Sequence, residues 1–453
     1  MKSKWIIITL CIVAIVAAAI SIRLTAQAVA SAPADQTGPY KVGFVTNTYY
    51  DSTRSDFAGG PRSIQTFIWY PAAPDNNGNP MPPAVYPMIN LVGSTVFPDA
   101  SSTDFEAYGV DPAYQEVAAS KDGPFPLVIF SPGAQASSTL YIQIGARLAS
   151  HGFVVAIPTD FDDRLTVKPE PQFYPTWESY GIGIYTGRVK DIQYLMTRLV
   201  ADSQQSSNLL SGTIRPDQIA VSGHSVGGTA ALALAGGDDN TCDIAGQDPS
   251  KFPPESCVPI LPDPSIKAIV TIDGANQDLH YAEMARIKIP VMGIGQEWNT
   301  LEAFHDNRES CQARQHAAIQ SLPNYRVDVA YAGHMSFANV CAVNQVLNDQ
   351  GIIDDATLDS ILKAACPPEP VPPEEFGNLT TQYMIAFLKT VLVRETGYKE
   401  MLTPGYALEN EPFIEFFDTE KGSSNPGDED GYFSYFMHQS GTEQAKALKD
   451  PWW

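Results

Sequence analysis

The stretch Ile219-Ala-Val-Ser-Gly-His-Ser-Val-Gly-Gly-Thr-Ala-Ala-Leu-Ala-Leu-Ala235 decides which fold the sequence predicts. It begins with an apolar run typical of a buried strand and ends in small apolar residues typical of a helix. Between them, the Gly-x-Ser-x-Gly pattern predicts a sharp turn that lifts Ser225 to the top of a sheet. Glycine is expected at 223 and 227 because a side chain there would collide with neighbouring backbone. The alternative is a tight turn with an incidental serine.

The surrounding sequence alternates between strand-like and helix-like segments from Phe125 onward, after a β-rich region with long loops over residues 31–125. Further predicted strands are Leu127–Phe130, Phe153–Ile157, Ile266–Ile272, Val291–Ile294 and Tyr325–Tyr331. Further predicted helices are Ser138–Ser150, Gly187–Val200 and Leu379–Arg394. Such alternation predicts an α/β fold, with a mostly parallel central sheet covered by helices on both faces.

Residues 1–30 have the features of a signal peptide, with a basic start, an apolar run over 5–22 and small residues before Ser31. Because that run is long for a signal peptide, an N-terminal membrane anchor is the alternative. The remainder is expected to form one domain over 31–404. It carries a cap-like insertion at 236–264, and an acidic C-terminal tail follows over 405–453.

The composition is acidic, with a formal net charge of −23. An acidic surface repels phosphates, which argues against nucleic acid and anionic membranes as partners. Hydrophobic residues make up 44% of the chain, enough to bury a sizeable core. The composition favours a soluble exported protein and predicts no oligomeric state.

The cysteines fit export, because they show neither Cys-x-x-Cys nor a His/Cys cluster that would predict structural zinc. Cys242 with Cys257 closes a short loop and is the first candidate disulfide. Cys311 with Cys341 is the second candidate, although spacing alone does not fix the pairing.

A serine nucleophile needs a base, and His334 is the best-placed histidine downstream of Ser225. It follows the apolar run that ends at Tyr331, and the carboxyl end of a parallel strand is where the reacting edge of the sheet lies. His305 and His316 lie in polar, helix-like surroundings typical of surface residues. The sequence therefore predicts His334 as the general base.

Two residues compete for the carboxylate that orients this base. Asp273 ends the strand Ile266–Ile272 and faces the same edge, although an Asx turn over Gly274 would also explain it. Glu297 follows the next strand, where many related folds carry their acid. Asp273 is favoured, and Glu297 remains the rival.

An oxyanion hole requires two backbone N–H groups close to the serine. Val226 supplies the first because it directly follows Ser225. Ala134, in the loop after the strand Leu127–Phe130, is the expected second donor. The alternative for that loop is an ordinary Pro-Gly turn.

Four motifs resemble those of the platelet-activating-factor acetylhydrolases and of the dienelactone-hydrolase-related esterases close to them. They are Phe130-Ser-Pro-Gly133, Gly223-His-Ser-Val-Gly-Gly228, Ile272-Asp273 and Gly333-His-Met-Ser-Phe-Ala338. The resemblance implies an α/β-hydrolase fold, and it favours Asp273 because the acid of that family ends the strand after the elbow helix. The family's His-Gly in the oxyanion loop is Pro132-Gly133 here, so its particular lipid substrate is not carried over.

A second resemblance is to the cutinase-like polyester hydrolases, through Arg147-Leu-Ala-Ser-His-Gly-Phe-Val-Val155 and Ser131-Pro-Gly. The acid of that family would fall near Asn299, which cannot serve. This departure argues against a polyester hydrolase triad.

The motifs together predict a serine carboxylic-ester hydrolase in which Ser225, His334 and Asp273 act on short or medium acyl esters, including lipid esters. Alternatives are a cutinase-like polyester hydrolase or lipase and, from another class, an acyltransferase or a catalytically dead secreted binding protein. The expected partner is a small-molecule or lipid ester, with no metal, organic cofactor or nucleic acid. The expected location is secreted or periplasmic, without a membrane span once the leader is cleaved.

Overall fold

A computed structural model of the chain describes residues 33–55, 60–74, 80–88, 97–134, 136–159, 177–242, 257–274, 279–296, 311–366 and 371–418. The strands are β1 Lys41–Ser55, β2 Pro61–Ala72, β3 Val85–Tyr86, β4 Ala100–Ser101, β5 Ala113–Gln115, β6 Phe125–Ser131, β7 Val154–Thr159, β8 Ile214–His224, β9 Ile266–Ile272, β10 Val291–Gln296, β11 Asn324–Val329 and β12 Ile414–Asp418. The α-helices are α1 Ile142–Ser150, α2 Trp177–Ser203, α3 Val226–Gly236, α4 Tyr281–Met284, α5 Cys311–Ala318, α6 Val340–Asp349, α7 Asp355–Ala365, α8 Pro373–Leu388 and α9 Pro404–Asn410.

The strands form a ten-stranded sheet in the order β12-β11-β10-β9-β8-β6-β7-β2-β1-β5. From β11 to β7, every neighbouring pair is parallel. Antiparallel pairing occurs towards the edges, where β12 pairs with β11 and β2 pairs with both β7 and β1. The predicted mostly parallel sheet is therefore confirmed, with antiparallel strands added on both sides of its centre.

Successive residues of β6 face opposite sides of the sheet, so the strand contributes to two hydrophobic cores. Val128 and Phe130 pack in a cluster that includes residues of α1 and α8. Leu127 and Ile129 pack in a second cluster that includes residues of α2 and α3. Because both faces are covered, β6 consists wholly of buried residues.

The disulfides confirm one predicted pairing and correct the other. Cys242 bonds Cys257 as expected. The predicted pair of Cys311 with Cys341 is wrong, because Cys341 bonds Cys366 at a Cα–Cα distance of 5.9 Å. Helices α6 and α7 are joined by a short connection, and such a helical hairpin brings the start of one helix beside the end of the next. Cys341 lies at the start of α6 and Cys366 directly follows α7.

Replacing Cys366 with alanine is expected to lower the free energy of unfolding by about 3 kcal/mol. Without the Cys341–Cys366 bond, the unfolded chain regains the conformational entropy that the closed loop removes. Denaturant unfolding of the oxidised protein measures the change. Cys311→Ala is the comparison, and an equal loss in that variant would contradict the observed pairing.

Residues 405–418, which the sequence assigns to the acidic tail, belong to the sheet domain. They include all of α9 after its first residue and the edge strand β12, and Ile414 and Phe416 are buried in the core. The predicted leader at 1–30 and the rest of the tail lie outside the described residues, as does the 243–256 part of the cap-like insertion. Within the described ranges, no helix is both long enough and apolar enough to cross a membrane.

Candidate active site

The turn after β8 has the geometry of a nucleophile elbow. Ser225 has φ 54° and ψ −125°, a backbone conformation that places its side chain above the end of the strand while α3 begins at Val226. A Cβ on Gly227 would lie 2.1 Å from the Ser131 carbonyl oxygen, and one on Gly223 would lie 2.4 Å from Gly227 backbone atoms. Both glycines are therefore required sterically, as the sequence predicts.

Asp273 and His334 lie together at the carboxyl edge of the parallel strands. Asp273 directly follows β9, and His334 lies in the loop after β11, where it begins a short 3₁₀ turn. The distance between His334 Nδ1 and Asp273 Oδ2 is 2.5 Å. The carboxylate is fully buried, whereas the His334 side chain keeps 11% of its exposure. This pair therefore holds one imidazole nitrogen, Nδ1, inside the protein.

The Asp273 carboxylate is fixed by further donors from two neighbouring elements. Its Oδ1 accepts hydrogen bonds from the Gln296 backbone N–H at 3.2 Å and from Gln312 Nε2 at 2.9 Å. Its Oδ2 accepts another from Gln296 Nε2 at 3.1 Å. These hydrogen bonds restrict rotation of the carboxylate and keep it against the His334 imidazole. Glu297, the rival acid, lies outside the described residues.

His224, the residue before Ser225, forms a buried link between two loops. Its Nε2 lies 2.9 Å from the His334 carbonyl oxygen, which can only accept, so Nε2 carries the proton. Burial, followed by the neighbouring His334, holds the pKa of His224 well below its ordinary value, so the ring is neutral. Its Nδ1 therefore accepts from the Tyr141 hydroxyl at 2.8 Å.

The loop after β6 reaches Ser225 through Gly133. A Cβ on Gly133 would lie 2.9 Å from His224 Nδ1 and 3.5 Å from the Ser225 Cβ. The Gly133 N–H donates to the Tyr141 hydroxyl at 3.1 Å. A continuous hydrogen-bond chain thus runs from Gly133 through Tyr141 and His224 to the backbone of His334.

Arg188 on α2 holds the carbonyl groups of the same loop. It is 2% exposed, and its Nη1 donates to the Pro132 oxygen at 2.5 Å while its Nη2 donates to the Gly133 oxygen at 3.0 Å. The planar guanidinium suits two adjacent acceptors, because its N–H groups form a rigid fork. A buried arginine of α2 therefore supports the loop that carries Ala134.

Two backbone N–H groups in the segments around Ser225 have no backbone acceptor within the described part of the chain. Val226 is the first residue of α3, a position that lacks an intrahelical acceptor. The Ala134 N–H has no hydrogen-bond partner among the residues that the structure describes. These are the two donors that the sequence predicts for an oxyanion hole.

The side-chain ligand atoms of His224, Asp273 and His334 lie within 4.8 Å of one another. A metal would need free lone pairs from each residue. The two ring nitrogens of His224 and the Asp273 carboxylate are already engaged in the hydrogen bonds described above. The cluster is therefore organised as a hydrogen-bond network.

Sequence reasoning missed Arg188, Tyr141 and the bridging role of His224. Arg188 carries a detectable signal, because it lies one helical turn before Ile192 and two before Leu195, on the apolar face of α2. An arginine on such a face needs buried acceptors, although the sequence does not say which ones. Tyr141 and His224 offer no comparable signal.

Residues 33–166 match the sequence profile of the family described as platelet-activating factor acetylhydrolase, isoform II. The chain resembles the platelet-activating-factor acetylhydrolases. One such acetylhydrolase, from Cavia porcellus, is 30% identical over 158 residues, a match that covers 28% of this chain and 36% of that relative. The resemblance predicted from the motifs is thus confirmed, over about a third of the acetylhydrolase's length.

The solved structure of a ferulic acid esterase from Streptomyces cinnamoneus matches this acetylhydrolase-like chain over most of its length. The TM-score is 0.53 at 18% sequence identity, and the match covers 83% of this chain and 96% of the esterase. At this identity the likeness shows the fold alone. That fold, with its mixed sheet and helices on both faces, is the α/β-hydrolase fold expected from the sequence.

Proposed function

We propose that the protein is a serine carboxylic-ester hydrolase with Ser225 as nucleophile, His334 as general base and Asp273 as the residue that orients the base. The observation that carries the proposal is the strained elbow at Ser225 beside a buried carboxylate–imidazole pair at the same edge of the sheet. This is the arrangement in which a serine hydroxyl becomes nucleophilic at neutral pH.

In the proposed reaction, Ser225 Oγ attacks the acyl carbon and its proton passes to His334 Nε2. Asp273 keeps the Nδ1 proton in place and stabilises the imidazolium. The N–H groups of Val226 and Ala134 bind the oxyanion of the tetrahedral intermediate. His334 then protonates the departing alcohol, and water, activated by the same imidazole, releases the acyl group from Ser225.

The comparisons support esters as the substrate class, since the acetylhydrolases and the ferulic acid esterase are named for ester or acetyl hydrolysis. We propose a short or medium acyl ester, with an acetyl ester as the leading candidate because the sequence match is to acetylhydrolases. Secretion is proposed from the predicted leader and the two disulfides among the described residues.

A fluorophosphonate probe tests the proposed nucleophile, because it reacts only with an activated serine. We expect the intact protein to gain a label on the peptide that carries Ser225, as located by mass spectrometry. Ester turnover is measured alongside on p-nitrophenyl acetate, butyrate and octanoate, on methyl ferulate and on a phospholipid with a short acyl chain. Absence of both the label and turnover of any ester would overturn the proposal.

A further inference from the structure

The loop that carries Ala134 is held by Arg188 in a way that bears directly on the proposed reaction. We propose that Arg188 is a positioning residue that fixes the peptide unit between Gly133 and Ala134, and thereby aims the Ala134 N–H at the oxyanion. The inference rests on the proposed function, since it assigns a role within the same site. Arg188 itself would not touch the substrate.

The geometry of a trans peptide links the two ends of this unit. The carbonyl oxygen of Gly133 and the N–H of Ala134 belong to one planar group and point to opposite sides of the chain. The guanidinium of Arg188 binds that oxygen at 3.0 Å, on the face of the loop turned towards α2. The Ala134 N–H is therefore directed away from α2 and cannot turn inward while this hydrogen bond persists.

The preceding peptide unit is held at both of its ends. Arg188 Nη1 donates to the Pro132 oxygen at 2.5 Å, and the Gly133 N–H donates to the Tyr141 hydroxyl at 3.1 Å. One arginine thus binds two successive carbonyl groups, which fixes the rotation of the backbone at Gly133 between them. The Ala136 N–H also donates to the Gly133 oxygen, at 3.2 Å, so this oxygen has a second donor from within the loop itself.

Such support matters because glycine places little restriction on its own backbone. A rotation of the Gly133–Ala134 unit would replace the N–H donor with a carbonyl oxygen, which would repel the developing negative charge. Oxyanion donors stabilise the transition state only when they are already in place. Arg188 is suited to prevent the rotation because its side chain is only 2% exposed and is therefore enclosed by protein.

The test compares Arg188→Lys with the unaltered protein, because lysine keeps the charge but cannot present a planar fork to two carbonyl groups. We expect kcat/KM for a short ester to fall about tenfold to a hundredfold, less than the loss of an oxyanion donor outright. The affinity for a trifluoromethyl ketone of matching acyl chain, which forms a tetrahedral oxyanion on the serine, should fall by the same factor. The KM value should change little.

Arg198→Lys is the matched control, since Arg198 lies on the same helix but is 47% exposed and pairs with Asp202. It should leave both kcat and ketone affinity unchanged. If Arg188→Lys does not fold, as judged by circular dichroism, Tyr141→Phe replaces it. That variant keeps the ring against Phe130 but removes the hydroxyl, which accepts from the Gly133 N–H and donates to His224 Nδ1. Its kcat and ketone affinity should fall together by about threefold to tenfold.

The outcomes separate this inference from the proposed function. If the unaltered protein hydrolyses esters but the folded Arg188→Lys variant matches its kcat and ketone affinity, the positioning role is wrong and the proposed function stands. A fall in kcat without a parallel fall in ketone affinity also overturns it, because the defect then lies elsewhere. If the unaltered protein neither hydrolyses an ester nor takes the fluorophosphonate label, both proposals fail.

Discussion

Replacing Ser225 with alanine is expected to lower kcat for a short p-nitrophenyl ester by about a millionfold. The variant removes the attacking oxygen, and the remaining binding groups cannot supply a covalent route. Alanine should not disturb the elbow, because the strain at φ 54° arises from the backbone and Cβ that both residues share. We therefore expect kcat from steady-state kinetics to fall by this factor, while the free energy of unfolding stays nearly constant.

Ser222→Ala is the matched control for this prediction. Ser222 lies on β8, three residues before Ser225, it is fully buried, and its Oγ has no hydrogen-bond partner within the described part of the chain. The control should keep its full activity. Turnover by Ser225→Ala close to that of the unaltered protein would show that another nucleophile does the chemistry.

Replacing Asp273 with asparagine is expected to lower kcat by about ten-thousandfold, the loss typical of a triad acid changed to its amide. The amide oxygen of the new side chain can accept from Gln312, which places the amide NH₂ towards His334 Nδ1. Nδ1 would then have to accept a hydrogen bond, and the imidazole proton would move to Nε2. An imidazole protonated at Nε2 cannot take the proton of Ser225.

Glu297→Gln provides the comparison, because Glu297 is the other acid that the sequence offers. We expect that variant to retain most of its turnover in the same assay. A large loss confined to Glu297→Gln, with Asp273→Asn near full activity, would transfer the orienting role to Glu297. The fold of both variants is checked by thermal unfolding before kinetics are compared.

The central strands were predictable because parallel strands buried on both faces are continuous apolar runs. Ile266–Ile272 was predicted with the bounds that the structure gives it, and Val291–Ile294 falls two residues short. The antiparallel edges were not predicted, because the pairing of β12 with β11 joins segments separated by helices α6 to α9. The helix predicted over Ser138–Ser150 begins as a 3₁₀ turn before α1.

The candidate site, like the sheet, was predictable only in part. Ser225, Asp273 and His334 could be predicted because each follows a recognisable strand, so local pattern and chain order were enough. Arg188 binds carbonyl oxygens more than fifty positions earlier in the chain. Because every residue has a backbone carbonyl, the sequence does not show which of them an arginine will bind. The Cys341–Cys366 bond depended on how two helices fold back on each other, which spacing alone does not determine.

The first variable position of the Gly-x-Ser-x-Gly motif is therefore not free to vary in this protein. His224 accepts a hydrogen bond from the Tyr141 hydroxyl at Nδ1 and donates one to the His334 carbonyl oxygen from Nε2, and burial keeps the ring neutral. A replacement would have to be planar, neutral and of the same length, with its acceptor and donor on opposite ends. A transfer of this motif to another scaffold would therefore have to include Tyr141 and the His334 loop. The pentapeptide alone supplies His224 but neither of its two hydrogen-bond partners.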